Sequence, residues 1–150
     1  MALASAQAVD AVAALVRNAS GMSARVHTGR TWPLEESELP AWRVLAGAES
    51  IEAATIGFPA AQTHELDVEA QGYVRAVADL DDAMHALAEN ALKELFKTAS
   101  TASLAPLNCA VQLAAIRRDL VTEGEAALGR ITLFLRVRFV TQSNSPQTIV

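Results

Sequence analysis

Apolar and polar residues alternate along two stretches of the chain and recur at helical spacing along two others. From Gln62 to Val74, His64, Leu66, Val68 and Ala70 point one way. Thr63, Glu65, Asp67, Glu69 and Gln71 point the other. That alternation is the period of a half-buried strand with one acidic face. From Arg130 to Thr141, Ile131, Leu133, Leu135, Val137 and Phe139 share one face, and Phe134, Arg136, Arg138 and Val140 the other. Val111 to Thr122 reads as the strand before it. The Glu123 to Gly129 loop, punctuated by Gly124 and Gly129, joins the two as an antiparallel hairpin.

Residues 2 to 18 read as a helix, with Val9, Val12, Ala13 and Val16 in phase and Arg17 at the negative end of the dipole. A second helix is predicted from Asp79 to Lys97. Asp79 is its N-cap, Asp81 and Asp82 lie in its first turn, and Leu80, Met84, Leu87, Ala91 and Leu95 form its stripe. Between the helices, Arg25 to Thr28 reads as a short strand and Gly29 to Pro40 as a loop. Trp42 to Ala46 reads as a strand, Gly47 to Ser50 as its turn, and Ile51 to Ile56 as a returning strand. Thr98 to Pro106 is a connector, and Gln142 to Val150 is expected to be an extended, flexible tail. The order predicts one α+β domain over residues 1–150. Its sheet is mostly antiparallel, and its two main helices pack on one face.

Composition adds limits. A chain of 150 residues with 51% hydrophobic and 19% charged positions can bury one core without staples. Cys109, the single cysteine, excludes an internal disulfide framework and a Cys-rich zinc site. The net charge of -5 argues against an exposed, sequence-blind nucleic-acid binder. No uninterrupted apolar run reaches the length of a membrane span, and the N-terminal segment lacks the positive start of a signal peptide. The expectation is a soluble, intracellular, acidic domain.

The search for chemistry returns little. His27, His64 and His85 do not stand at helical metal-pair spacing, and alternation puts His64 on the face opposite Glu65 and Asp67. Cys109 has no histidine beside it and is expected to be a buried small hydrophobe. Asp79, Asp81 and Asp82 are explained by a helix start, and Glu35, Glu36 and Glu38 by a solvated face. Neither a phosphate-binding glycine loop nor a G-x-S-x-G elbow is present. No catalytic residue, metal site or cofactor is expected, and the chain is not expected to be an enzyme. Two charged surfaces remain. One is the acidic strand face of Glu65, Asp67 and Glu69. The other is the face of Phe134, Arg136 and Arg138, to which Arg117 and Arg118 of the preceding strand are added. An acidic and a basic patch on one molecule suit a head-to-tail ring, in which two different surfaces meet.

The succession of segments resembles the tail terminator proteins of long-tailed bacteriophages, the minor tail protein U type. An N-terminal helix leads to Arg25-Val26-His27-Thr28-Gly29-Arg30 and then to Leu39-Pro40-Ala41-Trp42-Arg43-Val44, similar to the "LPxxxV" start of a strand in that family. The strand His64-Glu65-Leu66-Asp67-Val68-Glu69-Ala70, the Asp81-Asp82 helix and the Glu123-Gly124-Glu125 turn follow, and then Arg136-Val137-Arg138-Phe139-Val140-Thr141. The order of these segments spans nearly the whole chain.

The resemblance implies an α+β protomer that assembles into a homohexameric ring. It implies a virion tail protein, assembled in the host cytoplasm, that caps the tail tube, stops its polymerisation and offers a surface to head-tail connector or neck proteins. DNA would pass through the ring, and no membrane is involved. Candidate subunit or tube contacts are Glu65, Asp67, Glu69, Arg117, Arg118, Phe134, Arg136 and Arg138. Competing readings are a head-tail joining or neck protein, a small soluble binding module, and an enzyme with dispersed catalytic residues.

Overall fold

The computed structural model describes residues 3–19, 25–28, 39–75, 79–96, 109–123 and 126–150. In chain order its elements are α1 (Ala4–Arg17), β1 (Val26–Thr28), β2 (Ala41–Ala53), β3 (Ala61–Arg75), α2 (Leu80–Leu95), β4 (Ala110–Glu123) and β5 (Ala126–Gln142). The strands form a five-stranded sheet in the order β1-β2-β3-β5-β4. Among the described residues only β1 is parallel to its neighbour, and every other pairing is antiparallel. The predicted α+β architecture is therefore the observed one.

Both helices cover the same face. The alternating apolar positions of β3 and β5 meet there, with Leu66 opposite Val137, Val68 opposite Leu135 and Ala70 opposite Leu133. α1 contributes Ala8, Val12 and Val16, and α2 contributes Met84, Leu87 and Ala91, to one continuous core. Each large side chain fully buried there, such as Trp42 or Leu133, stabilises the fold by roughly 1.5–3 kcal/mol. Cys109 is buried in this core, as expected, and burial pushes its thiol up to about 11.

Four local expectations are corrected. Gly47 to Ser50 is not a turn. β2 is one strand that runs through this segment, with a bulge between Ala46 and Glu49 opposite Val68 and Leu66. The extra residue shifts the alternation, so Glu49 joins the helix side of the sheet. The Glu123 to Gly129 segment is not a loop over its whole length either: strand pairing resumes at Ala126, which lies opposite Glu123. Gly129 lies inside β5 because α2 passes close above it. A Cβ there would stand 2.5 Å from Leu80 Cδ1. Asp79 precedes α2 but makes no side-chain cap, while Asp81 and Asp82 do occupy the first turn.

The fourth correction is the C-terminal segment. It turns at Gln142–Ser145 and returns to α1. Ala4 N donates to Pro146 O at 3.2 Å, Gln7 Nε2 to Gln147 O at 2.7 Å, and Val150 N to Val140 O at 2.8 Å. Ile149 packs on the core. A segment that satisfies its backbone groups in this way is part of the domain. The acidic cluster at 35–38, most of the 29–40 loop and the 98–106 connector lie outside the described residues.

Gly72 gives the sharpest packing test. A Cβ there would lie 2.8 Å from Leu87 Cδ2 and 3.0 Å from the ring of Trp42, which is wholly buried. Gly72→Ala should lower the unfolding free energy by about 1–3 kcal/mol, read by urea titration, because the Leu87 side chain and the buried indole must both give way.

Candidate interaction face of the sheet

The face away from the helices is built in cross-strand rows. Glu65 of β3 stands opposite Arg138 of β5, and Asp67 opposite Arg136. Glu69 stands opposite Phe134, Gln71 opposite Thr132 and Tyr73 opposite Arg130. β4 extends these rows with Gln112, Ala115, Arg117 and Asp119. The acidic and the arginine positions singled out from the sequence are therefore one mixed surface, not two separate patches. Arg138 Nη2 donates to Glu65 Oε1, and Arg136 Nε lies 3.6 Å from Asp67 Oδ1. The Arg138 hydrogen bond, more than its charge alone, holds the Glu65 carboxyl below the usual carboxylate range. Pairs this exposed fix strand register more than they stabilise the fold.

Strand alternation separates Arg117 from Arg118. A bulge between Leu113 and Ala115 shifts β4 by one position, so Ile116 and Arg118 turn to the helix side while Arg117 and Asp119 face outward. Arg118 Nε donates to Nε2 of His85 on α2 at 3.0 Å. Arg118 is thus no member of the arginine row, and its grouping with Arg117 is corrected. Arg117 lies 3.6 Å from Asp119 Oδ2.

The outer face is uneven along its length. Toward Tyr73 it is covered: Leu39, Ala41, Tyr73 and Leu128 form a second small core. The Arg43 guanidinium lies 4.7 Å from the Tyr73 ring centroid and donates to its hydroxyl. That hydroxyl donates to Gln71 Oε1 at 2.8 Å, and Gln71 Nε2 donates to Glu69 Oε2 at 3.1 Å. Toward Ala61 the face is open, and Asp67, Arg136 and Arg138 are exposed. Phe134 sits half-buried where the two regimes meet.

On the helix side, His64 makes contacts that single-strand reasoning missed. Its ring stacks on Phe139 at 4.7 Å. Nδ1 lies 2.7 Å from Glu49 Oε1, and Nε2 lies 2.7 Å from Thr141 Oγ1. Carboxylate, imidazole and hydroxyl stand in the order that activates a nucleophile. Thr141 has no exposed surface, however, so no substrate reaches its oxygen. The set ties the end of β2 to β3 and β5. Only the bulge brings Glu49 to this side, and no local signal in the sequence marks that shift. Among the described residues no group of three His, Cys, Asp or Glu side chains could hold a metal ion.

Among the described residues, one forked ion pair is partly buried. Arg130 Nε and Nη2 donate to Asp119 Oδ1 and Oδ2 at 3.0 and 2.7 Å. This fork lowers the Asp119 pKa and raises that of Arg130. A carboxyl depressed by folding stabilises above its unfolded value and loses that contribution as pH falls through the folded value. Asp119→Asn should therefore cost about 1–2 kcal/mol at neutral pH. Its stability should also fall less steeply than the parent's on acidification below the ordinary 3.8, in urea titrations across that range.

No family model matches the sequence, and no curated protein matches it. Among solved structures, similarity is found to a chain of the "Virion of native gene transfer agent (GTA) particle". The two are 20% identical over 89% of this chain and 87% of that one, with a TM-score of 0.40.

Proposed function

We propose that this chain is a structural virion protein of the tail terminator type, with no catalytic step. In this reading it closes into a homo-oligomeric ring, six subunits by the resemblance, on the end of a tail tube. The ring stops polymerisation and presents the joining surface for head-tail connector proteins, and DNA passes through it. The observation that supports this best is the asymmetry of the sheet. Two helices seal one face, while the half of the other face around Asp67, Arg136 and Arg138 is open to solvent. A rigid, polar, register-fixed surface suits contact with another folded protein. Among the described residues β4 also ends the sheet with an open edge, a second feature suited to contact between chains.

Within this reading, Glu65, Asp67, Glu69, Phe134, Arg136 and Arg138 form the surface offered to the tube or to a neighbouring subunit, and Arg117 borders it. The charges of Glu65 and Asp67 are already matched by Arg138 and Arg136 within one protomer, while Glu69 stands opposite Phe134 and accepts from Gln71. A partner must therefore complement alternating signs rather than a single patch, which favours specificity over raw affinity. Arg118 lies on the other side of the sheet and serves elsewhere.

The experiment is tube polymerisation. Purified tail tube protein should assemble into shorter tubes as this protein is added, with density capping one end in negative-stain images. Arg136→Glu with Arg138→Glu should abolish capping, because both rows then place like charges opposite Asp67 and Glu65. Unchanged tube length at every ratio, or binding to a portal-side connector without binding to tubes, would overturn the terminator reading.

A further inference from the structure

Beyond its bulge, β2 continues with the start of β3 as an arm. Every residue from Ala46 to Pro59 is exposed. The tip of this arm carries the least covered large apolar side chains of the described residues, Ile56 at 105% and Phe58 at 82% relative exposure. The tip is braced rather than loose. Ala54 N donates to Ala61 O at 2.8 Å, Ala61 N to Thr55 Oγ1 at 2.8 Å, and Ala60 N to Ser143 Oγ at 3.1 Å. Gly57 at its apex takes a φ of 102°, which other residues rarely adopt. A pre-shaped apolar tip loses little entropy on docking.

A complementary surface lies at the β4 side of the molecule. Among the described residues, an open groove of about 800 Å³ runs between α2 and β4, lined by Leu92, Phe96, Val111, Leu113 and Ile116. Its rim carries Lys93 and Arg118, and Glu89 of the same rim is paired with Lys93 at 3.1 Å. The arm has the opposite charge. From Val44 to Val74 the sequence contains no lysine or arginine, and Glu52 stands exposed on the arm itself.

We propose that Ile56 and Phe58 at the tip of the β2–β3 arm insert into the α2–β4 groove of a second copy of this chain, with the acidic arm against the basic rim. Tip and groove are different surfaces, so the contact is heterologous. Each copy keeps one of the two unused, and the series closes into a ring or grows as a chain according to its rotation. The contact deepens the ring reading above, on which its closure rests, but it does not require a tube.

The test places a photo-crosslinking phenylalanine analogue (p-benzoylphenylalanine) at position 58 of the full-length protein and maps the products. Crosslinks between copies, from position 58 to α2 or β4 residues of the groove, are expected. The exposed-site variant Ile56→Asp with Phe58→Asp should keep the parent's circular dichroism and weaken self-association at least ~10-fold. So should Lys93→Glu with Arg118→Glu on the rim. Mixed together, the two variants should form no more than pairs, since only one intact tip meets one intact groove. Crosslinks from position 58 only to other surfaces, or a tip variant that assembles like the parent, would each overturn the proposal. A tip variant that still forms rings and caps tubes would overturn it while leaving the ring reading standing. Head-to-tail assembly through position 58 without tube capping would do the reverse.

Discussion

Between β3 and β5, Leu66 lies opposite Val137 and Val68 opposite Leu135, while Glu65 lies opposite Arg138 and Asp67 opposite Arg136. Side chains alternate strictly across a sheet. A slip of one residue would therefore bring the arginines of β5 under the helices and turn its leucines to water. The helices can seal the sheet only in the observed register, and in that register the outward carboxylates of Glu65 and Asp67 each meet an outward guanidinium. Burial on one face and charge pairing on the other thus select the same alignment. Agreement of this kind between independent preferences is what gives a sequence a single fold.

Two bulges modify that rule, and each has a consequence for contact. In β2 the bulge rotates Glu49 onto the His64 ring, which fastens the base of the arm to β5 through Thr141. In β4 the bulge rotates Ile116 and Arg118 toward α2, which furnishes one wall and part of the rim of the groove. The central strand pair makes a regular body. The irregularities near its margins shape the surfaces that a second molecule can meet.

The regular parts of this fold were legible because their signal is periodic. The two faces of β3 and β5 and both helices follow from spacing, and the burial of Cys109 from the usual place of a lone cysteine. The misread positions depend on contacts distant in sequence. Gly47 and Gly129 look like turn residues because glycine is common in turns, yet one sits in a bulge and the other lies beneath Leu80 and Met84. The candidate residues Glu65, Asp67, Arg136 and Arg138 were identifiable as surface charges. Their mutual pairing was not, because it depends on the register between two strands separated by a helix and a third strand. Arg117 and Arg118 show the same limit in small: adjacent residues of a strand face opposite ways, and only the shifted β4 register decides which faces outward. The Glu49–His64–Thr141 set and the arm-and-groove geometry belong to the tertiary level for the same reason.

The ring reading requires that these surfaces join copies of the chain through a heterologous contact that closes. The most direct measurement is the mass of the purified protein by light scattering over a wide concentration range, alone and with tube ends present, with class averages of the same fractions. The expected result is a closed ring of about six subunits, a number that rests on the family resemblance, with a central hole and one repeated contact. A two-fold dimer that saturates without further growth, or a protein that stays single even on tube ends, would contradict it.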